Sequence, residues 1–182
     1  EKFGLAKRKK SNAKIIAITG SSGKTTLKFL IGNLLKTFGN TYFSPKSYNN
    51  HIGVPLSLCN LNYNDEYGVF EIGMSKKGEI KTLSNLVKPD IAIITNVAEA
   101  HIENFKDLKG IAKAKAEIIQ NIKENGTLIL NRDDKFFSFF NQIANKRKLK
   151  IITFGSNSNS EIKLNSNFKT KNHHLASVKT PN

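Results

Sequence analysis

The stretch Ile15-Ile16-Ala17-Ile18-Thr19-Gly20-Ser21-Ser22-Gly23-Lys24-Thr25-Thr26 decides how this chain is read. Four apolar residues, mostly β-branched, make a short buried strand. A glycine-rich turn follows, then a helix whose apolar residues Leu27, Leu30, Ile31, Leu34, Leu35 and Phe38 recur at helical spacing. Strand, glycine turn and helix in this order suit a phosphate-binding loop. Glycines let backbone N–H groups approach an anion closely, and the helix N-terminus adds about half a positive charge. Lys24 is spaced to reach the β- and γ-phosphates of a nucleotide, and the Thr25 hydroxyl to hold Mg2+. The loop is shorter than the general pattern, since only Ser21 and Ser22 separate Gly20 from Gly23. A plain glycine turn with a surface lysine is the competing reading, and the flanking strand and helix argue against it.

Working outward, strands are expected at 40–44, 67–73, 91–95, 127–131 and 149–154. The run Ile91-Ala92-Ile93-Ile94-Thr95 is nearly all apolar, as in a strand covered on both faces. Helices are expected from Gly53-Val54-Pro55 onward, around Ile80, Leu83, Leu86 and Val87 before Pro89, over 107–123 and over 133–146. This alternation predicts an α/β fold, a doubly wound and mostly parallel sheet whose ligands sit beyond the carboxyl ends of the strands. Three parts are expected: a basic linker or surface segment at 1–13, a P-loop nucleotide-binding domain at 14–155, and an incomplete remainder at 156–182. In that remainder the pattern fades into Ser156-Asn157-Ser158-Asn159-Ser160, a small extra β segment near 161–164 and a polar tail.

A chain of 182 residues suffices for one domain with a sizeable core. Apolar residues at 38% and charged residues at 24% suit a soluble globular protein. The single cysteine, Cys59, excludes an internal disulfide and fits a reducing compartment, so a cytoplasmic location is expected. No apolar run approaches the ~20 residues of a membrane span, and no signal-peptide core lies near the start. Because the first residue is Glu1, the chain is expected to begin inside a longer or processed protein. The net charge of +15 raises nucleic-acid binding. Against it, the only dense basic tracts are Lys7-Arg8-Lys9-Lys10 and Lys146-Arg147-Lys148, and a positive field serves a phosphate-rich substrate equally well.

On such a sheet Thr25, Glu71, His101 and Asn131 fall where strands end. Glu71 interrupts an apolar strand, and a buried carboxylate is costly unless paired or bound to a cation. A metal ligand and a carboxylate paired with a lysine or a helix end are both open. His101 is open between a metal ligand and a structural histidine. Lys115 lies within the stripe Leu108, Ile111, Ala112, Ile119 and Ile122, in the middle of a buried helix face. It either snorkels to solvent along its own stem or sits desolvated near the site, where the neutral amine is favoured. A neutral amine can add CO2 to form a carbamate, an anion able to ligate metal.

Six ordered stretches carry a family resemblance, collinear from about Ala13 to Gly155: Thr19–Thr26, Ser47–Leu58, Glu71–Met74 with Gly78-Glu79-Ile80, Thr95–His101, Ala112–Ile118 and Asn131–Asp134. Together they resemble the central ATPase domain of the Mur ligases. Within that family they are most similar to the member that joins D-alanyl-D-alanine to UDP-N-acetylmuramoyl-tripeptide through an acyl phosphate. The resemblance implies that Gly20, Ser21, Ser22, Gly23, Lys24, Thr25 and Thr26 wrap the phosphates of ATP, with Lys24 on the terminal phosphates and Thr25 on Mg2+. It implies Glu71 as a further Mg2+ ligand, and His101 with carbamylated Lys115 on another Mg2+. Lys24, His101 and Lys115 would be the catalytic set. Asn131 and Asp133 would meet the adenine, and Asn49 and Asn50 the acceptor substrate. A cytoplasmic monomer that neither enters a membrane nor binds nucleic acid is expected. The domains that grip the uridine nucleotide and the amine substrate are not covered, so the isolated chain is expected to bind ATP weakly and not to ligate. Other ligases of the superfamily, a tripeptide-forming Mur ligase or a folylpolyglutamate synthetase, are disfavoured by the Asn49-Asn50 loop and by Gly78-Glu79-Ile80. A non-catalytic P-loop module remains the alternative from another class.

Overall fold

A computed structural model describes residues 2–99, 104–170 and 173–181. The chain begins with helix α1 (Lys2–Lys10), then β1 (Lys14–Thr19), α2 (Lys24–Leu35), β2 (Thr41–Phe43), α3 (Gly53–Cys59), β3 (Tyr67–Glu71), α4 (Glu79–Val87) and β4 (Ile91–Ile94). It continues with α5 (Leu108–Ala116), β5 (Thr127–Asn131), α6 (Phe137–Lys146), β6 (Lys150–Gly155), β7 (Ile162–Lys169) and β8 (His174–Lys179). The described strands form one sheet in the order β2-β3-β1-β4-β5-β6-β7-β8. All neighbours are parallel except the β7–β8 pair. The expected doubly wound, mostly parallel α/β sheet is what forms, with the extra β segment at its end.

Strand periodicity explains the layers, because alternate side chains point to opposite faces. Ile15 and Ala17 join Phe70, Ala92, Ile94, Leu128 and Leu130 in the larger core, with residues of α3 to α6. Ile16 and Ile18 join Val69 and Ile93 on the other face, under Leu27, Ile31 and Leu35 of α2. Register then sets the site. Ile18 lies opposite Glu71, and Thr19 opposite Ile94, so the carboxyl ends of β1, β3 and β4 open at one level.

Four sequence expectations change. The basic segment at 1–13 contains helix α1, fastened to the body through Arg8, which is buried and donates to the carbonyls of Val87 (2.6 Å) and Lys88 (3.1 Å). The tail beyond 160 is a hairpin: β7 pairs in parallel with β6 and antiparallel with β8. The helix expected over 107–123 is α-helical only to Ala116 and tightens to a 3-10 turn over Glu117–Asn121. On α2 the apolar stripe is split. Leu30, Leu34 and Phe38 are exposed, whereas Lys28 and Gly32 are buried. Gly32 is needed there because a Cβ would come within 2.3 Å of the Phe43 ring. Among the described residues no helix is long and apolar enough to cross a membrane.

Candidate active site at the carboxyl edge of the sheet

Beyond Thr19 the chain turns through Gly20 (φ 150°) and Gly23 (φ 78°) before α2 begins. Gly20 admits no side chain, since a Cβ would lie 1.8 Å from Thr95 Oγ1. The loop is laced to the segment after β4. Ser22 N donates to Asn96 Oδ1 (3.0 Å), and Asn96 Nδ2 to Ser22 Oγ (2.8 Å). Thr95 Oγ1 donates to Ser22 O (2.7 Å), and Ala98 N to Ser21 Oγ (2.9 Å). Lys24 folds back over the loop and donates from Nζ to Gly20 O at 2.9 Å. Its burial lowers the ammonium pKa, and the Glu71 charge partly opposes that. Thr26 is exposed in the first turn of α2.

Glu71, at the end of β3, is 1% exposed and carries several partners. Its Oε2 accepts from the Thr25 hydroxyl (2.7 Å), and its Oε1 from Asn49 Nδ2 (2.7 Å). Lys28 Nζ lies 3.9 Å from Oε2. The two readings of Glu71 are therefore compatible: it has a lysine partner, and it also faces the Thr25 hydroxyl beside the phosphate loop. A carboxylate and a hydroxyl in hydrogen-bond contact are the hard oxygen donors that Mg2+ favours, so these residues fit such an ion.

Lys115 is 3% exposed on α5 and lines the same cavity as Lys24. Burial first, and then the Lys24 charge, lower its pKa from 10.5 to about 7. This favours the desolvated reading of Lys115 over the snorkelling one. The cavity has a volume of about 930 Å3, and Gly20, Ser21, Asn49, Asn50 and His51 also line it. Asn49 is held from both sides, by its amide on Glu71 and by Gly73 N on its carbonyl (2.8 Å). Asn50 Oδ1 accepts from Ile52 N and Gly53 N at the entry to α3 (3.1 and 2.8 Å).

Asn131 and Asp133 lie at the same edge of the sheet but do not line this cavity. Asn131 Oδ1 accepts from Asp133 N at 2.9 Å. The Asp133 carboxylate accepts from Ser156 N (2.6 Å) and Asn157 N (2.9 Å), which fixes the turn after β6. His101 lies outside the described residues. Sequence reasoning missed Lys28, although its position one turn after Lys24, between Leu27 and Ile31, was a signal. It also missed Thr95 and Asn96 as partners of the loop, together with Lys76 and Lys77 at the cavity.

Comparison with known proteins places the sequence and the fold in a family. The family model of the Mur ligase middle domain matches residues 18–182. The chain is 48% identical over 131 residues to the UDP-N-acetylmuramoyl-tripeptide–D-alanyl-D-alanine ligase of Buchnera aphidicola, covering 72% of this chain and 29% of the relative. It is 37% identical over 170 residues to the enzyme of that name from Escherichia coli, covering 93% of this chain and 36% of the relative. The structure of MurF from Acinetobacter baumannii superposes with a TM-score of 0.92 at 31% identity, over 98% of this chain and 39% of that one. MurF ligase of Thermotoga maritima, solved in complex with ADP, superposes with a TM-score of 0.87 at 28% identity, over 98% of this chain and 42% of that one. The chain thus spans roughly a third of the length of the curated relatives it matches. By the match of its sequence and by its fold, the chain belongs to the Mur ligase middle-domain family.

Proposed function

We propose that this chain is the ATP- and Mg2+-binding centre of a ligase that joins D-alanyl-D-alanine to UDP-N-acetylmuramoyl-tripeptide in peptidoglycan precursor synthesis. The observation that carries the reading is the convergence of Lys24, the Thr25–Glu71 pair and buried Lys115 beside one phosphate loop. The Thermotoga maritima relative, solved in complex with ADP, supports an adenine nucleotide as ligand.

In the proposed reaction the terminal carboxylate of the tripeptide attacks the γ-phosphate of ATP, and ADP leaves. The amine of D-alanyl-D-alanine then attacks the acyl phosphate, and phosphate is expelled. Two anions must approach in the first step. At about 4 Å and an effective dielectric of 20, each pair of charges repels by about 4 kcal/mol. Lys24 and the backbone N–H groups of residues 20–26 would offset that repulsion on the nucleotide side. Thr25 and Glu71 would hold one Mg2+, and His101 with carbamylated Lys115 another. Bound Mg2+ neutralises developing charge on the phosphoryl oxygens. Asn49 would present its amide to the transferred group from the loop before α3, with Asn50 fixing the loop's exit. Asn131, and Asp133 through the turn it holds, would face the adenine. ATP and a nucleotide-linked sugar as substrates set the proposed location in the cytoplasm, with the enzyme acting as a monomer.

The test is phosphate release by the product of the complete reading frame, with each of the three substrates omitted in turn. Release that requires all three is expected. Release driven by a folate and glutamate, or none at all, would overturn the substrate assignment and leave the phosphate loop standing.

A further inference from the structure

Lys28 is a charge with no part in that chemistry, and it is completely buried. A lysine ammonium is costly to enclose unless each of its donors finds a partner. Here Nζ donates to the carbonyl of Lys46 (2.6 Å) and the hydroxyl of Ser44 (3.1 Å), and it lies 3.9 Å from Glu71 Oε2. The Lys46 carbonyl also accepts from Tyr48 N (2.7 Å) and Ser44 Oγ (3.1 Å), so one oxygen organises the start of the loop between β2 and α3. That loop then carries Ser47 to within 3.0 Å of Thr25 Oγ1, and Asn49 to Glu71 Oε1. Lys28 stands one helical turn beyond Lys24, and so ties three parts together: the phosphate-loop helix, the carboxylate at the end of β3 and the loop facing the acceptor.

We propose that Lys28 is a positioning residue that fastens the loop 44–50 onto the phosphate-loop helix and, through that loop and its own charge, holds Glu71 in its orientation toward Thr25. The inference rests on the reading of Glu71 as a Mg2+ ligand, whereas its loop-holding half stands without a metal. Partners that orient a ligand commonly matter nearly as much as the ligand itself, and losing one costs about 10–100-fold in metal affinity.

Two measurements on the chain test this with Lys28→Met and the charge-free donor Lys28→Gln. The first is amide hydrogen exchange without metal or nucleotide. Lys28→Met should speed exchange at Tyr48, Asn49 and Gly73 and leave Leu128 to Leu130 of β5 unchanged. The second is Mg2+ titration of ADP binding. Lys28→Met should weaken Mg2+ affinity by about 10–100-fold, so that more Mg2+ is needed, while metal-free ADP affinity stays as in the wild type. Lys28→Gln should keep the loop protected yet lose Mg2+ affinity in the same range. Faster exchange across the whole sheet with unchanged Mg2+ affinity would mean a merely structural lysine and overturn the proposal. So would wild-type behaviour in both measurements. Should Lys28→Met not fold, Mg2+ affinity in folded Lys28→Gln decides by itself. A wild-type chain whose ADP binding ignores Mg2+ would instead sink the metal reading of Glu71, and loop exchange would still decide whether Lys28 holds the loop.

Discussion

Replacing Lys115 by methionine should stabilise the chain, by an amount that depends on pH. Methionine keeps an unbranched stem of similar length in the buried position and removes the amine. In the folded chain that amine titrates at about 7, against 10.5 for a free lysine. Below about pH 6 both folded and unfolded chains carry the proton, and the folded chain bears the full cost of enclosing it. At about 1.4 kcal/mol per tenfold change in affinity for the proton, that cost is on the order of 5 kcal/mol. Between pH 7 and 10.5 the folded chain holds the amine neutral while the unfolded chain still binds a proton, so stability rises with pH. The advantage of Lys115→Met should therefore shrink by about 3 kcal/mol between pH 6 and pH 9. Urea denaturation of both chains in CO2-free buffer, read as the difference between variants at each pH, isolates this residue from the other lysines. Added bicarbonate should then stabilise only the wild type, since only it can form the carbamate. A difference that stays constant from pH 6 to pH 9 would refute the argument, because it would mean that Lys115 reaches solvent and titrates normally.

Three further outcomes follow from the geometry. Glu71→Gln leaves the Lys28 charge buried without its counter-ion and should cost about 3–5 kcal/mol in urea denaturation. Adding Lys28→Met should recover part of that loss, and strictly additive effects would contradict the pairing. Gly20→Ala places a methyl group against Thr95 Oγ1 at a φ of 150°, and should lower stability by about 1–3 kcal/mol together with nucleotide affinity. An alanine variant of wild-type stability would show that the loop and the segment at 95–98 are not in contact. Arg8→Ala removes donors to the Val87 and Lys88 carbonyls and should cost about 1.5–3 kcal/mol. Limited proteolysis should then cut within residues 2–10 while ADP binding is kept, and resistance equal to the wild type would argue against docking through Arg8.

What could be read from the sequence is what local pattern dictates. The strand, glycine turn and helix of residues 15–38 are contiguous, and Lys115 stood out because it breaks an apolar stripe at helical spacing. The elements missed depend on partners far along the chain. Helix α1 has no apolar stripe, and its anchor Arg8 reaches carbonyls 79 and 80 residues away. A β segment near 161–164 was legible from Ile162 and Leu164, whereas its extension to Lys169 and the return strand β8 are mostly exposed and form by pairing at the sheet edge. The place of Lys28 between Leu27 and Ile31 was a local signal, but nothing local shows that the chain at 44–46 closes over its ammonium. The position of Asn131 at a strand end was readable, whereas the bonds of Asp133 to Ser156 and Asn157 required the register of β6 beside β5.

The claim on which everything else depends is that a nucleotide binds at residues 20–26. Amide chemical shifts of the labelled chain, followed during titration with Mg-ADP and repeated for Lys24→Ala, test it most directly, and they register weak binding as well as strong. The account expects saturable shifts centred on Gly20 to Thr26 and reaching Glu71, which Lys24→Ala abolishes without disturbing β5 and β6. Shifts confined to another surface, or a titration unchanged by Lys24→Ala, would contradict it.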